Sequence, residues 1–406
     1  MRHLLFALLL SPIGLFAQQN DDAFRKQLQT QMILAEPGDT IDVPAGTHLV
    51  SSSLSLDEKQ NVVIRGAGMD ETIISFKKQR DGAEGIRIAN SSNITIMDLT
   101  VQDAAGDCIK VMDTDGIAFL RVRTEWTGRA KKTNGAYGLY PVSCQRVLID
   151  GCEAIGASDA GIYVGQSHQI IVRNSLAYRN VAGIEIENST MADVYDCEAY
   201  ENTGGILVFD LPDLPKEKGG NVRVFRNHVH HNNFRNFAPK GNIVGTVPPG
   251  TGVLILATNN VEIFENKVLE NKTVGAGIIS YYMTENPIQD DNYYPYPTSI
   301  YIHDNTFAKA RKRPTLKNKI GILLLAKFGK DVPDILYDGI VDKETLAENG
   351  SVKPEFQICI RNNGEATFAN LDAEHNFVNL NQDISVHDCT RTSLDEPSLG
   401  AARGEE

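Results

Sequence analysis

Charged and aromatic side chains recur at one offset of a repeating pattern, two residues after a small residue. In chain order they are Arg87, Lys110, Tyr140, Tyr163 and Glu185. Arginine and lysine can neutralise a substrate carboxylate, while tyrosine can transfer a proton or stack on a sugar ring. The set predicts a groove for an acidic polysaccharide. The alternative is an ordinary solvated sheet face decorated with β-forming residues.

Further polar residues, among them Asp107, Tyr137 and Asp159, stand where the repeats begin. We take Tyr137, Tyr140 and Lys110 as catalytic candidates, because a neighbouring lysine should lower the pKa of a tyrosine that transfers a proton. The substrate-binding candidates are Arg87, Tyr163, Asp159 and Glu185. The binding residues would orient carboxylates and hydroxyls, or hold a cation.

A second polar cluster consists of His228, His230 and His231. Two outward histidines at i and i+2 could share a metal ion. Because the stretch also occupies a turn position between two asparagines, decoration of a turn is the alternative. No cofactor is predicted to be required, although Ca²⁺ could bind carboxylates of a charged loop. These carboxylates are Glu285, Asp290 and Asp291.

Several function classes are disfavoured by what the sequence lacks. It contains no P-loop, dinucleotide fingerprint, nucleophile elbow or HExxH motif. The formal net charge of −13 argues against a nucleic-acid binder, which needs a basic footprint. A polyanionic substrate could therefore bind only in a locally basic groove or through bridging cations.

The candidate residues must be positioned by coils that repeat every 22 or 23 residues where the spacing is regular. The coils are predicted to begin at Gly85, Cys108, Gly138, Gly161, Gly183, Gly205, Gly252 and Gly277, with a weaker start at Gly321. The first and third residues after most of these starts are apolar, and alternation by two places both inside the coil. This period of short alternating strands predicts an all-β, single-domain parallel β-helix, a solenoid.

Asparagines recur at two turns of the repeat. Asn227, Asn266 and Asn305 are predicted to stack as a ladder at an interior bend, since asparagine satisfies turn backbone groups. Cys152 and Cys197 share this position in earlier coils and should be buried free thiols, because coils two apart are too distant for a disulfide. A second column is predicted to face outward. It contains Asn180, Asn202, Asn232 and Asn271.

Both ends of a solenoid need a cap, because they expose unpaired strand edges. Residues 23–35 predict an amphipathic helix. Its buried side should be Phe24, Leu28, Met32 and Leu34. At the other end, a Cys359–Cys389 disulfide would close a loop and stabilise the fold by roughly 3–4 kcal/mol in the chain-entropy model. Free thiols at both positions are the alternative.

The N-terminus resembles an export signal. A positive start at Arg2 and His3 precedes an apolar run, and Ala17 offers a small residue for cleavage. The run is shorter than the ~20 apolar residues of a membrane span, and a buried helix is the alternative. We therefore predict export to the periplasm or the extracellular space, with no integral membrane segment after signal removal.

The predicted chain organisation has five parts. They are 1–17, a signal peptide; 18–84, an N-terminal cap and first coils; 85–327, the β-helix repeats; 328–392, a C-terminal cap; and 393–406, a disordered acidic tail. Polar insertions interrupt the coils and should lie in turns, where they often build the working surface of a solenoid.

Three stretches carry a resemblance to a known family. "EPGDTIDVPAGTH", "VIRGAGMDETIISF" and "GIYVGQSHQIIVRNSLAYRN" resemble the pectin-lyase-like superfamily. More narrowly, they resemble secreted parallel β-helix repeat-containing proteins, whose C-terminal signature is similar to residues 358–389. The resemblance implies a right-handed parallel β-helix over nearly the whole mature chain. It also implies a second secreted protein as partner, and no established activity.

One short stretch resembles a catalytic box. "YGLYPVS", which begins at Tyr137, is similar to the "YGFDPHE" box of mannuronan C5-epimerases. Tyr137, Gly138 and Pro141 match that box. The positions of its catalytic aspartate and histidine hold Tyr140 and Val142 here. The resemblance thus implies a role for Tyr137 but departs from the epimerase mechanism.

Three functions follow as hypotheses. The first is binding, with lyase-like or epimerase-like modification, of an acidic polysaccharide. The second is a non-catalytic surface or accessory scaffold that acts with a secreted partner protein. The third is periplasmic metal handling, because the repeats also resemble those of NosD-type β-helix proteins.

Overall fold

The computed structural model describes residues 21–310 and 312–400. The predicted signal peptide and residues 401–406 of the predicted tail lie outside the described residues. Two α-helices occur in the described part, α1 (Asp21–Leu34) and α2 (Lys319–Phe328). Neither is long and apolar enough to cross a membrane.

Short strands make up most of the described chain. The first ten are β1 (Thr40–Asp42), β2 (Gly46–Leu49), β3 (Ser52–Asp57), β4 (Val63–Arg65), β5 (Thr72–Ser75), β6 (Asp81–Ala89), β7 (Ser92–Gln102), β8 (Ile109–Met112), β9 (Asp115–Glu125) and β10 (Tyr137–Val142). The next ten are β11 (Gln145–Asp150), β12 (Glu153–Ile155), β13 (Ala160–Gly165), β14 (His168–Arg173), β15 (Leu176–Tyr178), β16 (Ala182–Glu187), β17 (Thr190–Tyr195), β18 (Glu198–Tyr200), β19 (Gly204–Phe209) and β20 (Gly220–Phe225). The last are β21 (His228–His230), β22 (Thr251–Leu256), β23 (Asn259–Phe264), β24 (Lys267–Leu269), β25 (Val274–Ile279), β26 (Thr298–His303), β27 (Thr306–Ala308), β28 (Ile335–Tyr337), β29 (Cys359–Arg361) and β30 (Phe368–Asn370). Short 3₁₀ helices lie at Ile243–Thr246, Tyr281–Thr284, Lys343–Thr345, Pro354–Phe356, Ala373–His375 and Ile384–His387.

The strands stack as two parallel sheets that wrap one core. Sheet 1 has the order β3-β6-β8-β10-β13-β16-β19-β22-β25-β28-β30. Sheet 2 has nineteen strands and consists of two columns joined by the long strands β7 and β9. A typical coil therefore gives one strand to sheet 1 and two to sheet 2. This arrangement confirms the predicted parallel β-helix.

The core follows directly from the alternation in sequence. Ile162, Ile184 and Ile206 pair in register on β13, β16 and β19, and all three are fully buried. Because a parallel in-register stack repeats side-chain directions in every coil, each inward position continues through the solenoid. The same holds in sheet 2, where Val172 pairs with Val194.

The interior asparagine ladder is confirmed and is longer than predicted. The Nδ2 of Asn227 donates to Oδ1 of Asn266 at 3.0 Å, and that of Asn266 donates to Asn305 at 2.9 Å. The ladder continues to Asn363. In each pair the backbone N–H of the first asparagine also donates to Oδ1 of the second. One amide oxygen therefore accepts hydrogen bonds from both the side chain and the turn backbone of the neighbouring coil.

The second asparagine column also lies inside the coil, so the prediction that it faces outward was wrong. Asn180, Asn202, Asn232 and Asn271 are all buried. The Nδ2 of Asn202 donates to the carbonyl of Ala177 at 2.8 Å and to Oδ1 of Asn232 at 3.0 Å. The amides turn inward because the backbone groups that they satisfy lie on the inner side of the bend.

Two predicted coil starts differ from the structure. Gly277 pairs with Leu254, and Gly275 is the residue that aligns with Gly252. The predicted start is two residues out of register, because a shift of two residues leaves the inward and outward faces of a strand unchanged. Gly321 lies within α2, whose N-cap Asn318 accepts a hydrogen bond from the Gly321 N–H. The apolar run after Lys319 is therefore a helix packed on the solenoid.

Both caps contact the core. Helix α1 buries Phe24, Leu28 and Met32, but Leu34 is 70% exposed, contrary to prediction, because it is the last helical residue. At the other end Cys359 and Cys389 form the predicted disulfide, with Cα atoms 4.9 Å apart. Cys152 and Cys197 are buried free thiols, as predicted.

The described part of the acidic tail lies on the outer face of sheet 2. The N–H of Leu394 donates to Glu262 at 3.0 Å, and Glu396 lies 3.3 Å from Arg223. Arg223 also forms a salt bridge with Asp193. The described part of the tail thus supplies partners to charged groups that are buried on the sheet.

The ladder makes Asn266 a stability determinant. We expect Asn266→Leu to lower the free energy of unfolding by about 1–3 kcal/mol, because the Asn227 N–H and the Val224 carbonyl lose their partner inside the coil. Urea unfolding measures the change, and Asn286→Leu at an exposed loop position is the matched control. Equal stability of the two variants would contradict the ladder's role.

Candidate functional site

The predicted outward residues form one column across five neighbouring strands of sheet 1. Arg87 pairs with Lys110, Lys110 with Tyr140, and Tyr163 with Glu185. The register of β10 and β13 places Tyr140 beside Tyr163. Adjacent strands lie about 4.8 Å apart, so the column brings cations, aromatic rings and a carboxyl together.

Three tyrosines pack together at the centre of the column, and we call them the tyrosine cluster. The Tyr137 ring centroid lies 4.4 Å from that of Tyr140 and 4.6 Å from that of Tyr163. The Tyr140 and Tyr163 centroids are 5.0 Å apart. Lys110 extends toward the cluster, with Nζ 5.0 Å from the centroid of Tyr140.

Three buried carboxyl groups adjoin the tyrosines, namely Asp159, Glu185 and Glu187, which we call the carboxyl cluster. The Tyr163 hydroxyl donates to Glu187 at 2.6 Å. The Nδ2 of Asn242 donates to Asp159, also at 2.6 Å. Both carboxyl oxygens of Glu185 are buried without a hydrogen-bond partner among the described residues. The cluster therefore holds acidic groups in surroundings that poorly solvate a negative charge.

Burial shifts the titration of these acids. It raises the pKa of Asp159 to about 7 and that of Glu187 to about 7. The pKa of Glu185 is raised well above its ordinary value by burial, and by the neighbouring Glu187 and Asp159. Asp107 is half-buried, and loss of solvent raises its pKa to about 6, although Lys110 opposes the shift. These carboxyls can hold protons at pH values where ordinary carboxyls are ionised.

The predicted effect of Lys110 on the tyrosines was wrong. Burial raises the pKa of Tyr140 to about 12, with further increases from the charges of Asp107, Glu187 and Asp159. The pKa of Tyr137 is also raised by burial and by nearby carboxylates. The effects of burial and of nearby negative charge on the tyrosine pKa outweigh the effect of the single lysine. The hydroxyls of these tyrosines therefore remain protonated donors.

Part of the predicted groove is covered. Tyr163, Asp159 and Glu185 are buried, and the insertion at 234–250 contacts Asp159 through Asn242. Phe237, Val244 and Val247 of this loop belong to one apolar cluster with Tyr163, Leu207 and Leu254. The loop packs there because Leu207 and Leu254 make the outer face of sheet 1 apolar in the following coils.

The opposite end of the column is open, and we call its residues the open end. Its members are Arg87, Asp107, Lys110 and Tyr140, and all are partly exposed. The N–H of Tyr137 donates to Asp107 at 3.2 Å. The Tyr137 side chain also lies within hydrogen-bonding reach of Asp159. Tyr137 therefore connects the accessible carboxyl to a buried one.

An apolar pocket of about 310 Å³ lies farther along sheet 1. Its walls include Phe209, Leu254, Gly277 and Leu324. Glu285 also lines it and lies 2.5 Å from Lys319.

Sheet 2 carries a separate cluster. It contains Glu198, His228 and His230, whose ligand atoms all lie within 4.8 Å of one another. Within the described ranges, no other group of three acidic, histidine or cysteine residues is this compact. His231 was grouped with the other histidines in the sequence. It contacts His230 and does not belong to this group.

Three residues of these clusters were not predicted from the sequence. Glu187 lies two residues after Glu185. The alternation of apolar and acidic residues in "GIEIE" could have indicated that both glutamates face outward. Glu198 pairs with His228 of the following coil, which the register could have revealed. Asn242 belongs to an insertion, and no repeat pattern indicates its position.

Comparison with known proteins gives a consistent fold. A family model described as a right handed beta helix region matches residues 84–293. The chain is similar to the A-module of Azotobacter vinelandii mannuronan C-5 epimerase AlgE6, with 15% identity over 86% of this chain and 93% of that chain and a TM-score of 0.53. It is also similar to the AlgE4 A-module of the same organism, with 17% identity over 80% and 92% of the chains and a TM-score of 0.46. No curated protein sequence matches the chain.

The carboxyl cluster predicts a pH-dependent stability. The pKa of Glu187 rises from 4.5 to about 7 on folding, so its charged form is disfavoured in the folded state. The free energy of unfolding should therefore fall as the pH rises from about 4.5 to about 7, by roughly 1.4 kcal/mol per pH unit within that interval.

We expect Glu187→Gln to flatten this part of the profile, because the amide has no charge to bury. Denaturant unfolding at several pH values measures the slope. Glu348→Gln, at an exposed loop position, is the matched control. An unchanged slope for Glu187→Gln would contradict the predicted titration.

Proposed function

The chain belongs to the family of proteins with a right-handed β-helix region, and we propose that it binds and cleaves an acidic polysaccharide on sheet 1. One observation carries the proposal: cations and aromatic rings share one outward column, and the protonatable carboxyl of Asp107 adjoins Lys110 in it. We also propose that the protein acts outside the cytoplasm. The Cys359–Cys389 disulfide supports this location, because disulfides persist in oxidising compartments.

Binding would begin at the open end. Arg87 and Lys110 lie on adjacent strands and can pair with acidic groups of the polymer. The Tyr140 ring offers an apolar face for a sugar. Since the protein as a whole carries a charge of −13, this local pair of cations would determine where a polyanion can approach.

Proton donation is the chemistry that the site supports best. Asp107 has a pKa of about 6 and lies beside Lys110. A partly exposed carboxyl that titrates near neutrality can protonate a glycosidic oxygen as a general acid. The charge of Asp107 also raises the pKa of Asp159. The two carboxyls are therefore close enough to interact, but Asp159 has the higher pKa and is protonated at the pH where Asp107 acts as the acid. Water would add to the sugar carbon as the protonated glycosidic oxygen leaves.

The tyrosines would serve as hydrogen-bond donors and stacking surfaces. A hydroxyl whose pKa is about 12, as for Tyr140, is a poor base near neutral pH. This condition favours acid-catalysed cleavage over β-elimination or epimerisation with tyrosine as the base. Tyr137, which contacts both Asp107 and Asp159, would hold the two carboxyls in place.

Removal of one cation tests the binding site. We expect Lys110→Ala to weaken binding of acidic oligosaccharides by about ten- to a hundredfold, since one charge-assisted contact of ~1.5–3 kcal/mol is lost. Isothermal titration calorimetry measures the affinity. Lys26→Ala removes the same charge from an exposed position on α1 and should leave binding unchanged. If the wild type binds no acidic glycan at millimolar concentration, the proposal fails and the scaffold hypothesis is favoured.

Removal of the proposed acid tests the chemistry. We expect Asp107→Asn to reduce cleavage at least a hundredfold with little change in binding, because general acid catalysis contributes about 10²–10⁴-fold. Release of reducing ends measures cleavage, and it should decline as pH rises through about 6, where Asp107 loses its proton. Ultraviolet-absorbing unsaturated products would instead indicate β-elimination and overturn the assigned acid role.

A further inference from the structure

A compact group of ligands lies on the outer face of sheet 2. Glu198 is on β18, and His228 and His230 are on the next strand, β21. All three are partly exposed, and their ligand atoms lie within 4.8 Å of one another. We propose that Glu198, His228 and His230 form a binding site for a divalent transition-metal ion, independent of the polysaccharide site on sheet 1.

The register of the coil creates this group. Glu198 pairs directly with His228, while His230 follows two residues later on the same outward face. One carboxylate oxygen, Oε1 of Glu198, lies 2.8 Å from Nε2 of His230 and 3.7 Å from Nδ1 of His228. Two imidazole nitrogens therefore converge on one anionic oxygen. A metal ion placed between these three atoms would contact all three ligands after small side-chain rotations.

The charged groups that face His228 come from three neighbouring strands and the turn after them. Glu198 lies on β18, His230 and His231 follow His228 along the chain, and Lys267 lies on the next strand, β24. A ligating imidazole must be neutral, so a metal ion competes with protons at this group.

Neighbouring rings fix the orientation of His230. Tyr200 stacks on it with centroids 5.5 Å apart and planes 6° from parallel. The Nδ1 of His231 lies 2.9 Å from the Nδ1 of His230. Such a contact on the ring nitrogen remote from the metal sets the tautomer and orientation of a ligating histidine. His231 therefore acts as a positioning residue.

The donor set indicates the class of ion. Two imidazoles and one carboxylate suit Zn²⁺, Cu²⁺ or Ni²⁺, whereas Mg²⁺ and Ca²⁺ prefer oxygen ligands. The His228 side chain is 43% exposed, so water could complete the coordination. Substitution of these surface residues leaves the apolar core intact.

Zinc titration of the full chain tests the site. After treatment with chelator, the protein should bind one Zn²⁺ in competition with a chromophoric chelator. Affinity should fall at least tenfold in His228→Ala and in Glu198→Gln, and it should also fall on acidification from about pH 7.5 to about pH 5.5 as the imidazoles protonate. His375→Ala, which changes an exposed histidine far from the group in sequence, is the matched control.

Copper spectroscopy gives a second readout. Electron paramagnetic resonance of the Cu²⁺-loaded chain should show coupling to two imidazole nitrogens, and His228→Ala should retain one. Circular dichroism establishes that each variant is folded. Failure of the wild type to bind one equivalent of Zn²⁺ would overturn the proposal. Equal affinity of the wild type, His228→Ala and Glu198→Gln would overturn it as well. Neither result bears on polysaccharide binding.

Discussion

In-register stacking of parallel strands is the constraint on which the rest of the structure depends. Each coil repeats the side-chain directions of the coil before it, so a residue type at one offset becomes a continuous column. Inward columns form the apolar core. At the bends, asparagine amides satisfy the backbone of one coil and the side chain of the next, as Asn227 and Asn266 do. Outward columns on sheets 1 and 2 then carry the two candidate sites.

Desolvation converts one outward column into a set of unusual acids. The loop at 234–250 covers the apolar coils around Leu207 and Leu254, and its Asn242 contacts the buried Asp159. Burial raises the pKa of both Asp159 and Glu185, and neighbouring carboxylates add to the effect, Asp107 for Asp159 and Glu187 with Asp159 for Glu185. A lysine at the open end cannot compensate for this burial. The site therefore combines a cationic entrance with protonated carboxyls farther along the sheet.

The sequence was sufficient for the features that depend on the repeat alone. A period of 22 or 23 residues with alternating apolar positions predicted the core, the interior ladder and the column from Arg87 to Glu185. Features that depend on insertions were not predictable, because a loop carries no periodicity. The cover over Tyr163 and the contact of Asn242 with Asp159 are of this kind. Gly277 was placed two residues out of register because such a shift preserves the alternation of faces.

In the proposed function, an acidic polysaccharide lies along the open end of sheet 1. A crystal structure of the full chain with a bound acidic oligosaccharide tests this claim most directly. We expect a sugar carboxylate paired with Arg87 or Lys110, a sugar ring over Tyr140, and a glycosidic oxygen within hydrogen-bonding distance of Asp107. An oligosaccharide bound on sheet 2, or one on sheet 1 without contact to these residues, would contradict it.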